Sequence, residues 1–236
     1  IPAPMPRQLL PPRETLCRAL GFRHGIPLLL LLLVATAPLA GQWRVEGWFG
    51  DAYNLPGTLT LEQEGQPDIR VDADWSTRPW RPTWYYSFRI AKWSGNSAWA
   101  IEYMHHKLYL DNPPVPEVIR FRITNGVNNI LAERHWRTKG WELGVGAGPA
   151  LAVPVSTVRG KSLANADGVF GSSYELAGFT LMGTVARRVK LLPYTYGSFA
   201  IKATLTPLDV TIADGRGKLT NYAVHFQYGL SLQGDP

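Results

Sequence analysis

Apolar and polar residues alternate with a period of two along much of this chain. In the stretch from Tyr222 to Leu232, the even positions Tyr222, Val224, Phe226, Tyr228, Leu230 and Leu232 are apolar or aromatic. The odd positions Ala223, His225, Gln227, Gly229 and Ser231 are small or polar. That rhythm belongs to a strand with one greasy and one wet face, not to a helix. The same alternation recurs at 68–75, 84–93, 173–186 and 192–205. Ten strands are predicted, at 43–51, 57–63, 68–75, 84–93, 98–110, 117–136 (bulged at Gly126), 139–153, 173–186, 192–212 and 219–232. Short connections such as Glu64-Gly65-Gln66-Pro67 and Ser94-Gly95-Asn96-Ser97 alternate with connections near 52–56, 76–83, 111–116, 154–172 and 213–218 that are longer or richer in Pro, Gly and Asp. This matches a closed antiparallel transmembrane β-barrel with short periplasmic turns and longer outer loops. Eight strands is the alternative count, and it leaves a long irregular segment around 111–138.

The N-terminus changes the bulk numbers. Arg7, Arg13, Arg18 and Arg23 precede an apolar run from Ile26 to Ala40, and small residues follow at Ala35, Ala37, Ala40 and Gly41. A basic region, a short apolar region and a small-residue end predict a cleaved secretory signal at 1–40, followed by a barrel domain at 41–236. The run is shorter than the roughly 20 residues of a helical span. Removing it lowers the formal charge from +6 to +3 and discards Cys17, the chain's single cysteine. The basic balance is therefore poor evidence for a nucleic-acid partner. The remaining chain has no disulfide to stabilise it, and a closed, fully paired ring in a bilayer supplies that stability instead.

The two faces differ in chemistry. Phe179, Leu181, Phe199, Ile201, Val224 and Phe226 share the face expected to meet lipid; Thr180, Lys202, His225 and Gln227 share the face expected to line the lumen. Trp43, Trp48, Trp75, Trp80, Trp84, Trp93, Trp99, Tyr109, Trp136 and Trp141 fall near predicted strand ends, as an interfacial aromatic girdle requires. Alternation alone also fits a secreted lipocalin-like carrier with the same faces turned inside out.

The densest polar cluster is Glu102-Tyr103-Met104-His105-His106-Lys107-Leu108-Tyr109. Because successive strand residues alternate, one of His105 and His106 faces the lumen whichever parity holds. Arg120 and Arg122 begin the next strand and return beside them. Imidazole beside Lys, Arg and Glu suits acid–base work or the binding of a phosphorylated glycolipid. His105, His106 and Lys107 are the candidate catalytic residues; Glu102, Arg120, Arg122 and Asn128 are candidate binding residues, and convergence of the cluster with His225 in one pocket is the expectation. No H-E-x-x-H, P-loop or dinucleotide fingerprint is present in the sequence.

A wider set of motifs carries a resemblance. Pro82-Thr83-Trp84-Tyr85-Tyr86-Ser87-Phe88-Arg89-Ile90, His105-His106-Lys107-Leu108-Tyr109, Thr124-Asn125-Gly126-Val127-Asn128 and Gly144-Val145-Gly146-Ala147-Gly148-Pro149 with Val158-Arg159-Gly160 resemble the outer-membrane barrels related to lipid A oxidase. The resemblance implies an outer-membrane barrel, with oxygen-dependent oxidation of a lipid A sugar aided by a divalent metal; the residues themselves specify no cofactor. His105, Lys107, Gly126, Asn128, Arg159, Gly160, Lys202 and His225 match its pattern, which adds Arg159, Lys202 and His225 to the candidate binding residues. Asn125 stands where a His is expected, and Ser156 and Ala200 where acidic residues are expected. Those departures remove metal ligands or bases, so the fold carries over better than the enzyme.

The expectation is a monomeric outer-membrane barrel of a Gram-negative bacterium with a filled polar lumen. Its role is structural, adhesive or lipopolysaccharide-binding; its partners are outer-membrane lipid, lipopolysaccharide and the barrel assembly machinery. The alternatives are a lipid A-modifying enzyme at the outer leaflet and the lipocalin-like carrier.

Overall fold

The computed structural model describes residues 43–113, 115–164 and 174–233, with the side chains of 124, 125 and 164 outside the description. The predicted signal segment at 1–40 lies outside the described residues. The described chain forms thirteen strands: β1 (Trp43–Asn54), β2 (Gly57–Gln63), β3 (Ile69–Ala73), β4 (Trp75–Ser76), β5 (Tyr86–Ser94), β6 (Ser97–Leu110), β7 (Val118–Thr138), β8 (Trp141–Ala152), β9 (Val155–Val158), β10 (Lys161–Ala164), β11 (Glu175–Leu192), β12 (Thr195–Ile212) and β13 (Gly215–Gln233).

The pairings close on themselves. The antiparallel order β1–β5–β6–β7–β8–β11–β12–β13 returns to β1, a ring of eight staves. Eight is the alternative count, and the reason lies in what happens where the sequence signals a turn. Pro56 interrupts the first stave only locally. Leu55 still donates its N–H to the Tyr222 carbonyl at 2.8 Å, and β2 continues along β13 from Leu59↔Leu219 to Gln63↔Gly215. Likewise β4 and β5 both lie between β1 and β6, so the segment 77–85 leaves a stave and rejoins it. β9 extends β8 along β7. The two predicted pairs of short strands before residue 94 are therefore two long staves.

This merging moves the turn at Glu64–Pro67 to the end opposite Trp43 and Gln233, the ends of the described chain. It also removes the expected sorting of loops by length, since Arg159-Gly160 and Ala213-Asp214 are two-residue connections at that far end. Arg159 and Gly160 both have positive φ, 48° and 72°, as a type I′ hairpin turn requires. The bulge at Gly126 is where it was expected. Register shifts between His106 and Leu108, and Gly126 has φ 92°.

Pleating assigns every side chain to the wall or the interior. Near the termini, the interior is charged: Arg44, Glu46, Arg89, Glu102, Glu133, His135, Glu142 and Lys202 are buried. The wall there is apolar, with Ile101, Ile130, Val145, Phe179, Leu181, Phe199, Ile201 and Phe226 exposed. The expected faces hold, since Thr180, Lys202, His225 and Gln227 are buried inside while Val224 is partly exposed on the wall. Toward the far end the interior becomes apolar. Leu59, Leu61, Val71, Leu108, Val118, Phe121, Ile123, Val158, Val210, Ile212 and Leu219 form one packed cluster. The wall around them is polar, with Thr58, Arg70, Asp72 and Lys218 exposed. The lipocalin-like arrangement is thus wrong for the terminal half, where charges fill the lumen. It describes only the far half.

The aromatic girdle needs one correction. Trp43, Trp99, Trp136 and Trp141 are exposed at the terminal end, each beside a cation: Lys92 over Trp43, Arg134 over Trp99 and Trp136, Arg187 over Trp141. Trp48, Trp75 and Trp93 lie inside, because their pleat parity points them inward. Trp48 lies between the Arg89 guanidinium at 4.7 Å and the Lys202 ammonium at 4.4 Å; Trp93 lies between Arg44 and Arg137. Tyr109 is covered by Arg78 at 4.6 Å.

Candidate functional site

The sequence-predicted site residues do not share one pocket. The strand β6 divides them by parity: Glu102 and His106 point inward, whereas His105 and Lys107 belong to the wall side with Trp99, Ile101 and Tyr103. The structure brings them together in two places and leaves Arg159 in a third.

Inside, Glu102 pairs with Lys202 in a short contact and lies near Arg89. Arg89 in turn bonds Glu46 at 2.6 Å and Glu133 at 3.3 Å, and Glu133 contacts His135. Arg44 grips Glu142 with two bonds of 2.7 and 2.6 Å, and Arg137 and Arg188 converge on the same carboxylate. Each cation thus has a carboxylate, which is what makes charge burial tolerable. Above this network lies a neutral layer. His225 is bonded by the Tyr85 hydroxyl at 2.9 Å and Thr204 at 2.8 Å, and its ring meets the edge of His106 at 4.9 Å. His106 also contacts the Thr77 hydroxyl at 3.3 Å. Gln227 donates to the Tyr85 hydroxyl at 2.7 Å. Glu102, Lys202, His106 and His225 are therefore buried inside the ring and tied to neighbouring side chains.

On the wall, His105 is held from three sides. Its Nδ1 bonds the Asn128 Oδ1 at 2.8 Å, its Nε2 bonds the Thr83 hydroxyl at 3.0 Å, and its ring stacks on Tyr86 at 5.4 Å. Asn128 is oriented independently, donating its amide N–H to the Gly126 carbonyl at 3.1 Å and accepting from the Tyr103 hydroxyl at 2.5 Å. The bulge makes this possible, since a Cβ at position 126 would collide with the His105 ring. Lys107 fastens the excursion 77–85 to the wall by donating to the carbonyls of Arg78 at 2.8 Å and Arg81 at 2.7 Å.

The arginines continue the wall past the bulge. Arg122 sits opposite Tyr109 in register, and Arg120 is exposed beyond it. Arg78 pairs with Asp111 at 2.5 Å, and Arg81 is exposed beside it. Arg159 is elsewhere, at a far-end turn, where it donates to the Pro67 carbonyl at 2.8 Å. Among the described residues, no group of three or more His, Cys, Asp or Glu side chains is placed to hold a metal ion. The divalent metal implied by the resemblance finds no donor set there. The side chain of Asn125 is outside the description; Ser156 and Ala200 are buried inside and offer no carboxylate.

Sequence reasoning missed Thr83, Tyr103 and the whole inner network beyond Glu102 and Lys202. The signal for Tyr103 was present: it is two residues from His105 and so on the same face. Thr83 lies in an irregular segment, where no periodicity reports direction.

No family model matches the chain, and no curated protein matches it. Solved structures resemble it weakly. The crystal structure of Neisserial surface protein A has 12% identity and a TM-score of 0.39, over 81% of this chain and 96% of that one. The outer membrane protein OprG from Pseudomonas aeruginosa has 10% identity and a TM-score of 0.46, over 84% and 97%. The outer membrane protein AlkL, determined in lipid bilayers, has 12% identity and a TM-score of 0.44, over 84% and 93%. Scores this low do not assign a common fold, so the architecture stands on the chain's own pairings.

Proposed function

We propose that this chain is a monomeric outer-membrane β-barrel of a Gram-negative bacterium. It is exported through a cleaved segment at 1–40, folded by the barrel assembly machinery, and sealed rather than pore-forming. Its termini face the periplasm and its far half stands in the external medium. One observation carries this reading: the exposed wall is mostly apolar around the half whose interior is charged and mostly polar around the other. A closed ring with a greasy belt needs a solvent that is itself greasy. On β13 the outward series Tyr222, Val224, Phe226, Tyr228 and Leu230 has the length a tilted membrane strand uses, roughly 9–11 residues. The Trp and cation pairs at the terminal end suit a headgroup layer.

The same reading makes the wall a surface for lipopolysaccharide. Arg81 is exposed next to Trp80 in the chain, Arg120 is exposed, and Arg122 is half-buried opposite Tyr109, so the outer wall carries cations and aromatics that phosphorylated headgroups could meet. An oxidase of the resembled kind would need metal donors that the described residues do not assemble. The wall offers hydroxyl, imidazole and amide instead.

The test is cell fractionation with gel mobility before and after boiling. The expected result is recovery in the outer-membrane fraction with heat-modifiable mobility; a soluble periplasmic species overturns the reading. Lipopolysaccharide retention on the purified barrel should fall when Arg81, Arg120 and Arg122 are changed to Ala together. Unchanged retention removes the binding role and leaves a structural one.

A further inference from the structure

We infer that the outer wall carries an acyl-transfer site, with Thr83 as nucleophile, His105 as general base and Asn128 as the residue that positions the imidazole. Its substrate class is the acyl ester of a membrane lipid, and that choice of substrate rests on the membrane reading above.

The geometry is that of an activated hydroxyl. A nucleophile and its base must lie within about 2.6–3.2 Å, with a third group orienting the base. The Thr83 hydroxyl lies 3.0 Å from His105 Nε2, and Asn128 Oδ1 lies 2.8 Å from Nδ1. The tautomer follows from the network. Asn128 turns its N–H toward the Gly126 carbonyl, so its oxygen faces His105 and can only accept. Nδ1 therefore carries the proton, and Nε2 presents its lone pair to the Thr83 hydroxyl. Stacking on Tyr86 fixes the ring plane. The relay is asymmetric in exposure, as a working site requires: His105 and Asn128 are buried, while Thr83 is exposed.

The surroundings suit a lipid. Trp84 follows Thr83 and, with Phe49, Trp80 and Tyr228, walls a hollow of about 350 Å³ on the lipid-facing side. Phe49 is the register partner of Tyr86 on one side and of Tyr228 on the other, so hollow and relay adjoin. An acyl chain lying among these rings brings its ester toward Thr83, and the exposed Arg81, whose carbonyl Lys107 holds at 2.7 Å, adds positive charge on the headgroup side.

The reaction balances without an oxidant or metal. Thr83 Oγ attacks the ester carbonyl while its proton passes to His105 Nε2. The tetrahedral intermediate collapses, breaking the bond between carbonyl carbon and alcohol oxygen. His105 returns the proton to that oxygen, and the lyso-lipid leaves an acyl-Thr83. Water, deprotonated by the same Nε2, then attacks the acyl-Thr83; the carbon–Oγ bond breaks, fatty acid departs, and Thr83 regains its proton.

The test uses the full mature chain inserted in vesicles of phospholipid and lipopolysaccharide, with released fatty acid measured by mass spectrometry. A fluorophosphonate probe is followed in parallel by peptide mass mapping. The expected result is fatty-acid release, with the phosphonate adduct on Thr83. His105→Gln should lower release by about 10²–10⁴-fold. Thr83→Ala should abolish both signals, and Thr83→Ser should retain them. Asn128→Ala should lower kcat with KM unchanged, and Asn128→Asp should restore it. Heat-modifiable mobility, identical in every variant, certifies insertion. A correctly inserted wild-type barrel that releases no fatty acid and takes no label overturns the acyl-transfer proposal and leaves the membrane reading intact. Release that survives Thr83→Ala and His105→Gln overturns it too. Failure of the chain to insert would instead count against the membrane reading.

Discussion

The two halves of the barrel share strands, pleat and register, yet they are built on opposite rules. On β13, inward His225 and Gln227 serve the charged and neutral layers, while inward Gly217 and Leu219 face the apolar cluster. Outward Phe226 and Tyr228 give way to outward Lys218. The parity never changes along the stave; only the residue types exchange. A strand's alternation therefore states which residues are paired on a face, not which face is dry. The solvent around each half decides that.

Core truncation in the far half should have the largest effect. Phe121 is buried and packs edge-on against Trp75 at 5.9 Å. Phe121→Ala should cost about 3–5 kcal/mol, measured by urea unfolding of the vesicle-inserted protein. A cost below about 1 kcal/mol would mean the far half has no true core. In the terminal half, the matching experiment is electrostatic. Lys202→Met leaves buried Glu102 with only Arg89, 4.0 Å away, and should cost about 3–5 kcal/mol. The double variant Lys202→Met, Glu102→Leu should recover most of that loss; no recovery would show that water hydrates this layer.

A smaller effect separates the walls. Phe226→Arg should cost about 2–4 kcal/mol if it lies near the bilayer midplane. Thr58→Arg, on the far wall, should leave stability within about 0.5 kcal/mol. Equal costs would erase the distinction between the halves. The smallest change is expected at the exposed far-end pair of Lys161 and Asp214, 2.5 Å apart. Lys161→Ala should shift stability by at most about 1 kcal/mol, and added salt should reduce even that.

Much of the terminal half was legible because a strand with one apolar and one charged face keeps strict alternation. The series Tyr222 to Leu232 assigned both faces correctly, and Gly126 announced its bulge. The stave count was harder. Pro56 carries the ordinary mark of a turn, yet pairing to β13 holds at Leu55 and resumes at Leu59. The segment 77–85 has the Pro and Trp content of an outer loop, but pairing on both flanks holds its ends to one stave. At the site, adjacent His105 and His106 were recognised as opposed, while their separate tasks were not. Assigning them required knowing which parity points out of the ring. Thr83 was quoted within a motif but had no direction until Lys107 was seen to hold the segment against the wall.

The excursion between Ser76 and Tyr86 has one more consequence. Its two ends are neighbours on the same stave, each already paired to β1 and β6. Apart from Thr77 and Tyr85, which are bonded inside the ring, the segment between them carries no strand pairing of its own, so its outward residues can change without moving the register of any other strand. It is a graft point in the wall of the barrel rather than at its rim. Exchanging its outward residues between related chains would transplant surface chemistry partway up the wall and leave the staves as they are. Diversity in such a protein is then expected to collect along its side as well as at its tips.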